Sequence, residues 1–147
     1  MNTQDSDSKA VIRVADWAQE KEPLSSVRRQ VFIIEQQVPE ALEWDEFDKT
    51  AIHFAASIDG KIIGTARLTT DGQIGRMAVL KPYRNQGIGS RLLQLALSTA
   101  QDEHYPEVYL HAQIEAIPFY EKHGFTAEGG VFYEANIPHR GMLKILC

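Results

Sequence analysis

Residues 75–90 read GRMAVLKPYRNQGIGS. A short apolar run (Met77, Ala78, Val79, Leu80) meets Pro82, two glycines spaced by one residue follow at Gly87 and Gly89, and residues 91–100 are amphipathic. This order predicts strand, turn, glycine loop and helix. Glycines at a helix start let the backbone approach a ligand closely, and the first N–H groups of the helix have no partner within it. Those donors, with the positive end of the helix dipole, suit a phosphate group. Lys81, Arg84 and Arg91 add positive charge nearby.

Two well-known phosphate loops do not fit. A P-loop needs Lys after its last glycine, and the dinucleotide fingerprint needs a third Gly or Ala where Leu92 stands. What fits is Arg/Gln-x-x-Gly-x-Gly/Ala, met by Arg84, Gly87 and Gly89. In these residues the sequence resembles the GNAT superfamily of acetyl-CoA-dependent N-acetyltransferases, in which this loop holds the coenzyme A pyrophosphate. The loop by itself also fits an ordinary strand-to-helix turn. A second resemblance lies downstream, in Phe119-Tyr120-x-x-x-Gly124-Phe125, and the two occur in the family's order.

A chain of 147 residues fits one domain with a substantial core, residues 1–147, of which 1–10 are expected to form a flexible tail. No apolar run approaches the roughly 18 residues of a membrane span, and the polar first ten residues lack the core of a signal peptide. A cytoplasmic protein with no membrane partner is expected. The lone Cys147 allows no intramolecular disulfide, and its terminal place argues against a buried nucleophile. A net charge of −5 disfavours nucleic acid as a partner.

Residues 11–15 predict a short strand. Leu24, Val27, Val31, Ile34 and Val38 recur at helical spacing, with Pro23 and Ser25 or Ser26 as start signals and Pro39 as a stop. Residues 40–48, EALEWDEFD, lack the glycine and ligand spacing of a calcium loop. A solvated loop anchored by Trp44 and Phe47 is the first reading, and a lid drawing in a cationic amine the second. Residues 51–58, 61–70 and 73–80 predict three antiparallel strands joined by two-residue hairpins at Asp59-Gly60 and Asp71-Gly72. His53, inside the first, is expected to be structural. After the helix, residues 108–111 predict a strand parallel to its predecessor. Pro118 suits a helix's first turn, Lys122 and His123 its last, and Gly124 a left-handed cap. Residues 131–145 predict a last strand or pair, interrupted at residues 132–139.

The resemblance implies an α/β fold of the GNAT type: a mixed, mostly antiparallel sheet, helices on both faces, and a splayed central strand pair. It implies N-acetyltransfer from acetyl-CoA, as co-substrate, to a small-molecule or peptide amine, with no metal and no covalent enzyme intermediate. Met77, Ala78 and Val79 would meet the thioester and pantetheine. Arg84, Asn85, Gln86, Gly87, Ile88, Gly89 and Ser90 would hold the pyrophosphate. Gln113 stands where the family often has Asn for a pantetheine contact. Tyr120 resembles the family's general acid. His111, at a strand end, is the first candidate base, with Glu35, His139 or a water chain as rivals. Arg28-x-x-Val31-Phe32-x-x-Glu35-Gln36 and Glu134-x-x-Ile137-Pro138-His139 resemble one small bacterial-type branch, and place Glu35, Glu134 and His139 at the acceptor site. A domain of this fold that binds CoA as a sensor or scaffold without turnover is the alternative. The acceptor's identity and a homodimer are left open.

Overall fold

The alternating residues 51–80 form an antiparallel meander of β2 (Ile52–Ile58), β3 (Lys61–Leu68) and β4 (Ile74–Val79), with β1 (Val11–Ala15) added outside β2. The structure is a computed structural model that describes residues 9–147. Asp59 and Gly60, at φ 52° and 80°, make the expected two-residue turn between Ile58 and Lys61. The second turn is longer. Thr69 N–H donates to the Gln73 carbonyl (2.9 Å), and Gly72 N–H closes on the Thr69 carbonyl (3.0 Å), with Gly72 left-handed at φ 94°. The Thr69 hydroxyl accepts from Gln73 N–H (3.0 Å) and favours this wider loop.

β4 leads through a short 3₁₀ turn (Lys81–Tyr83) to the helix here named α3 (Ile88–Asp102), which returns the chain to β5 (Glu107–Gln113). β5 touches the first sheet at one parallel bridge, Gln73 to Tyr109, and along its other edge pairs over its whole length with β7 (Ile137–Ile145), itself paired with β6 (Thr126–Glu134). Beyond that bridge β4 and β5 part, as the resemblance implied. β6 and β7 meet in a two-residue turn at Ala135 and Asn136, both left-handed (φ 53° and 64°). The stretch 132–139, expected to interrupt the strands, is therefore their hairpin; Asn tolerates positive φ, and residues 134 and 137 pair directly.

β3 shows that helices cover both faces of the first sheet. Gly64 lies under Leu92 of α3, where an added Cβ would come within 3.2 Å of the leucine. Three positions on, and so on the opposite face, Arg67 bonds Asp48, which in turn bonds Arg28 from α1 (Trp17–Arg28). Leu92, Leu93, Ala96 and Ala100 of α3 are fully buried, as are Phe54, Ile63 and Leu68 of the sheet.

α1 begins seven residues before Leu24. Asp16 caps it, accepting Ala18 N–H at 3.0 Å, while the Glu20 carboxylate accepts Asp16 N–H at 2.8 Å. Pro23 sits inside the helix instead of starting it. The helix then widens into a π-helical stretch, Arg29–Glu35. The wider turn breaks the predicted stripe: Leu24, Val27 and Val31 are buried, but Ile34 is 66% exposed. Residues 1–8 of the expected tail lie outside the described residues, whereas Ala10 is buried and its carbonyl accepts from Arg91 at 3.0 Å. Among the described residues no helix is long and apolar enough to cross a membrane.

Candidate active site

The glycine loop is shaped by backbone geometry. Asn85 and Gly87 are left-handed (φ 65° and 82°), and the first intrahelical bond of α3 runs from Arg91 N–H to the Gly87 carbonyl (3.1 Å). The N–H groups of Ile88, Gly89 and Ser90 therefore have no partner inside the helix. Ile88 is buried and anchors the turn, and Ser90 Oγ meets His123 Nε2 at 3.2 Å. The flanking arginines are less available than their sequence positions suggest. Arg84 forms a fork with Glu35, both bonds 2.7 Å, and its Nε donates to the Val79 carbonyl (2.7 Å). Arg91 reaches Ala10. Glu35 offsets the charge of Arg84, so positive potential at the loop comes from the helix N-terminus together with Arg91 and Lys81. The pairing also takes Glu35 off the cleft wall: Arg84 holds its carboxyl below the usual range, which suits a fixed anion better than a proton acceptor.

The parting of β4 and β5 opens a cleft of about 670 Å³. β4 carries a bulge there, since Ala66 of β3 faces both Arg76 and Met77, and Arg76 is left-handed at φ 51°. Thr65 Oγ1 holds the bulge by donating to the Arg76 carbonyl (2.9 Å). Leu80 N–H points to β3, bonding the Ile63 carbonyl at 2.9 Å. By alternation Ala78 also faces β3, while Met77 and Val79 turn their N–H groups outward to the gap. Of the three residues expected to meet the thioester and pantetheine, those two offer donors.

Side chains from β5, β6, β7 and α4 (Ile117–Lys122) gather on the opposite wall. The half-buried Tyr120 has its hydroxyl 3.8 Å from the Met77 sulfur, a weak acceptor, and burial pushes its pKa up to about 12. His111 Nδ1 lies 2.8 Å from Glu134 Oε2, across the hairpin from β6, and the imidazole stands edge-on to Phe132. If Nδ1 carries the proton toward that carboxylate, Nε2 is the basic nitrogen. His139 is buried, its Nδ1 2.7 Å from the Ile137 carbonyl, and it stacks on Phe132. Gln113 donates to Gln36 Oε1 (3.0 Å) at the end of the π-helical stretch. The cleft thus brings together Met77, His111, Gln113, Tyr120, Glu134 and His139, and leaves Glu35 with the loop.

The acidic stretch is not the solvated loop expected of it. Residues 40–49 fold into α2 (Glu40–Glu43) and a 3₁₀ turn (Glu46–Lys49), and Glu43 and Asp48 are buried. They belong to a closed ring of alternating charge. Arg28 bonds Glu43 (2.7 Å), Glu43 meets Arg76 (3.2 Å), Arg76 meets Asp45 (3.2 Å), Asp45 bonds Arg67 (2.8 Å), Arg67 bonds Asp48 (3.0 Å), and Asp48 bonds Arg28 (2.9 Å). Trp44 packs over Arg28, 5.1 Å from ring centroid to guanidinium, as an anchor should, whereas Phe47 is 52% exposed. Burial pushes the Asp48 carboxyl up, but Arg28 and Arg67 outweigh it and hold it below the usual range. At Glu43 burial prevails over Arg76 and Arg28, and its pKa is raised. His53 is structural as expected: stacked on Trp17, it meets the Asp48 carbonyl at 2.9 Å. Arg67 and Arg76 gave no local signal in the sequence, because their partners lie 19 to 34 residues away.

Comparison with known proteins agrees with this geometry. A family model described as an acetyltransferase (GNAT) domain matches residues 13–146. The uncharacterised N-acetyltransferase YjcF of Bacillus subtilis (strain 168) is 34% identical over 122 residues, covering 80% of this chain and 87% of its own. The crystal structure of an acyl-CoA N-acyltransferase from Pseudomonas aeruginosa superposes with a TM-score of 0.82 at 30% identity, covering 91% of this chain and 99% of that one. A Bacillus anthracis structure solved in complex with acetyl coenzyme A gives a TM-score of 0.56 at 25% identity, over 67% of this chain and 64% of that one. With the splayed strands, the glycine loop at a helix start and a match over nearly its whole described length, the chain belongs to the GNAT acetyltransferase family and is an acyltransferase.

Proposed function

We propose that the protein transfers an acetyl group from acetyl-CoA to an amine by direct attack. The observation that carries this reading is the splay itself: the outward N–H groups of Met77 and Val79 lie between a helix start with free N–H groups and a tyrosine hydroxyl whose hydrogen-bond partner among the described residues is a sulfur. The Bacillus anthracis relative solved with acetyl coenzyme A supports the choice of donor. Acetyl-CoA supplies an activated carbonyl on a good leaving group. The N–H groups of Ile88, Gly89 and Ser90 would bind its pyrophosphate, and those of Met77 and Val79 its pantetheine amides and the thioester oxygen.

His111 is positioned to accept the amine's proton at Nε2, with Glu134 fixing the ring through Nδ1. Tyr120 keeps its proton at neutral pH and would donate it to the departing sulfur. The C–N bond forms, the C–S bond breaks, one proton passes from nitrogen to His111 and one from Tyr120 to sulfur, and solvent restores both side chains. The test is thiol release from acetyl-CoA with a panel of amines, with mass spectrometry of the acceptors. Amine-dependent release with N-acetylated product is expected. Tight acetyl-CoA binding with no release on any amine would favour a CoA-binding scaffold.

A further inference from the structure

We propose that the acceptor is a primary amine on an apolar body that carries no acid group, such as an arylalkyl or alkyl monoamine. The inference rests on the acyl-transfer reading of the same cleft and names its substrate class. It comes from the charge and the apolar surface of the acceptor half.

The charged residues lining the cleft are Glu43, Asp45, Arg67, Arg76 and Glu134, alongside His111 and His139. The two arginines look like anchors for a carboxylate, but both belong to the closed ring. Arg67 lies between Asp45 and Asp48, and Arg76 between Glu43 and Asp45, with further bonds from Arg76 to the carbonyls of Glu43 (2.9 Å) and Leu42 (3.4 Å). Three arginines and three carboxylates leave the ring with no net charge. Arg76 Nε lacks a hydrogen-bond partner among the described residues but is sealed from solvent beside Glu43, so an acid group would have to displace a carboxylate already in place to reach either guanidinium. Glu134 stands outside the ring and faces only an imidazole, so with His111 neutral the cleft carries one net negative charge. That charge attracts an ammonium and repels a carboxylate.

The remaining surface is apolar. Phe32 lies within the π-helical stretch and Val38 just beyond it, and Leu42 and Phe47 come from the ring segment. Leu42 is 58% and Phe47 52% exposed, although the ring fixes the backbone between them. Large apolar side chains held in the open at the mouth of a cleft mark a surface for an apolar ligand. A polyamine or an aminosugar would leave it unfilled, and an amino acid would bring the excluded charge.

Three acceptors separate these terms: phenethylamine, L-phenylalanine, which adds only the carboxylate, and spermidine, which is cationic but not apolar. Thiol release gives kcat/KM, and calorimetry on the CoA-loaded protein gives binding without turnover. We expect phenethylamine to exceed each of the others by about tenfold or more, the range open to a hydrophobic pocket. Phe47→Ser should raise its KM several-fold with the Kd for CoA unchanged. Phenylalanine or spermidine equal to or better than phenethylamine would overturn the proposal, as would phenethylamine that neither binds nor reacts. If the binding order holds while no acceptor is acetylated, the substrate class stands and acyl transfer falls.

Discussion

Tyr120 is where a single residue's environment most nearly specifies a role. A tyrosine in water titrates near pH 10, and burial here pushes the value to about 12. The hydroxyl therefore keeps its proton through the neutral range, and its neighbour is a thioether 3.8 Å away, which is too weak an acceptor to hold it. A tyrosine hydroxyl turned into the protein usually finds a stronger hydrogen-bond partner. Tyr120→Phe removes one oxygen and leaves the ring edge-on to Phe119 and Phe125. If Tyr120 protonates the departing sulfur, kcat should fall roughly 10²-fold with the Kd for acetyl-CoA unchanged. Parental kcat in the mutant, with chemistry shown to limit the rate, would make Tyr120 a packing residue only.

At the scale of elements, the charge ring ties α1 and the segment from α2 to the 3₁₀ turn onto β3 and β4. A buried ion pair adds little compared with a well-packed apolar replacement, but removing one partner leaves charge uncompensated and costs about 3–5 kcal/mol. Arg28→Met should cost about that much in denaturant unfolding, because Glu43 and Asp48 lose a shared partner; a loss below about 1 kcal/mol would show that the ring readjusts. Acid should act on the same region with a definite sign. Burial lowers the pKa of His53, so the stability it adds is full above its free value of about 6.5 and declines as pH falls. Asp48, also lowered, adds stability above the free Asp value that is lost on further acidification. Glu43, raised by burial, has the opposite sign and offsets part of this. Tm should be level from pH 8 to 7 and fall below about 6.5, with the first part of that fall reduced in His53→Gln and the rest left by His123, which burial and Lys144 also hold low; a Tm that rises toward pH 5 would contradict the assignment. This ring is also what the sequence hides. Alternation and Asp-Gly turns made the meander legible because they act between neighbours. Asp45 and Arg67, by contrast, pair over 22 residues, and whether EALEWDEFD is solvated or buried depends on arginines that only the fold delivers. The start of α1 was missed for a nearer reason: Pro23 outweighed the Asp16–Glu20 cap lying seven residues before it.

The molecule as a whole is two sheets that meet at one bridge, Gln73 to Tyr109, with α3 leading from the first to the second. The half proposed for the cofactor was legible because the glycine loop is one local motif. Of the half proposed for the acceptor, His111, Glu134 and His139 were legible, whereas Leu42, Phe47 and the arginines of the ring were not, because their place in the cleft depends on contacts between distant segments. A ligand lying in the gap would contact both sheets, and one that binds only the folded chain stabilises it by RT ln(1 + [L]/Kd). At one hundred times Kd that is about 2.7 kcal/mol. For a domain of this size each kcal/mol moves Tm by roughly 2–4 °C, so acetyl-CoA should raise Tm by about 5–10 °C, with the shift growing with the logarithm of concentration. Gly87→Val locates the contact. A branched residue at φ 82° is strained and lowers the starting Tm, so the comparison is between the two increments, not the two melting points. If the loop carries the pyrophosphate, affinity falls at least tenfold, about 1.4 kcal/mol, and the increment at the same acetyl-CoA concentration shrinks by about half. Equal increments in mutant and parent would put acetyl-CoA somewhere other than this loop, and no increment in the parent would remove it from the protein altogether.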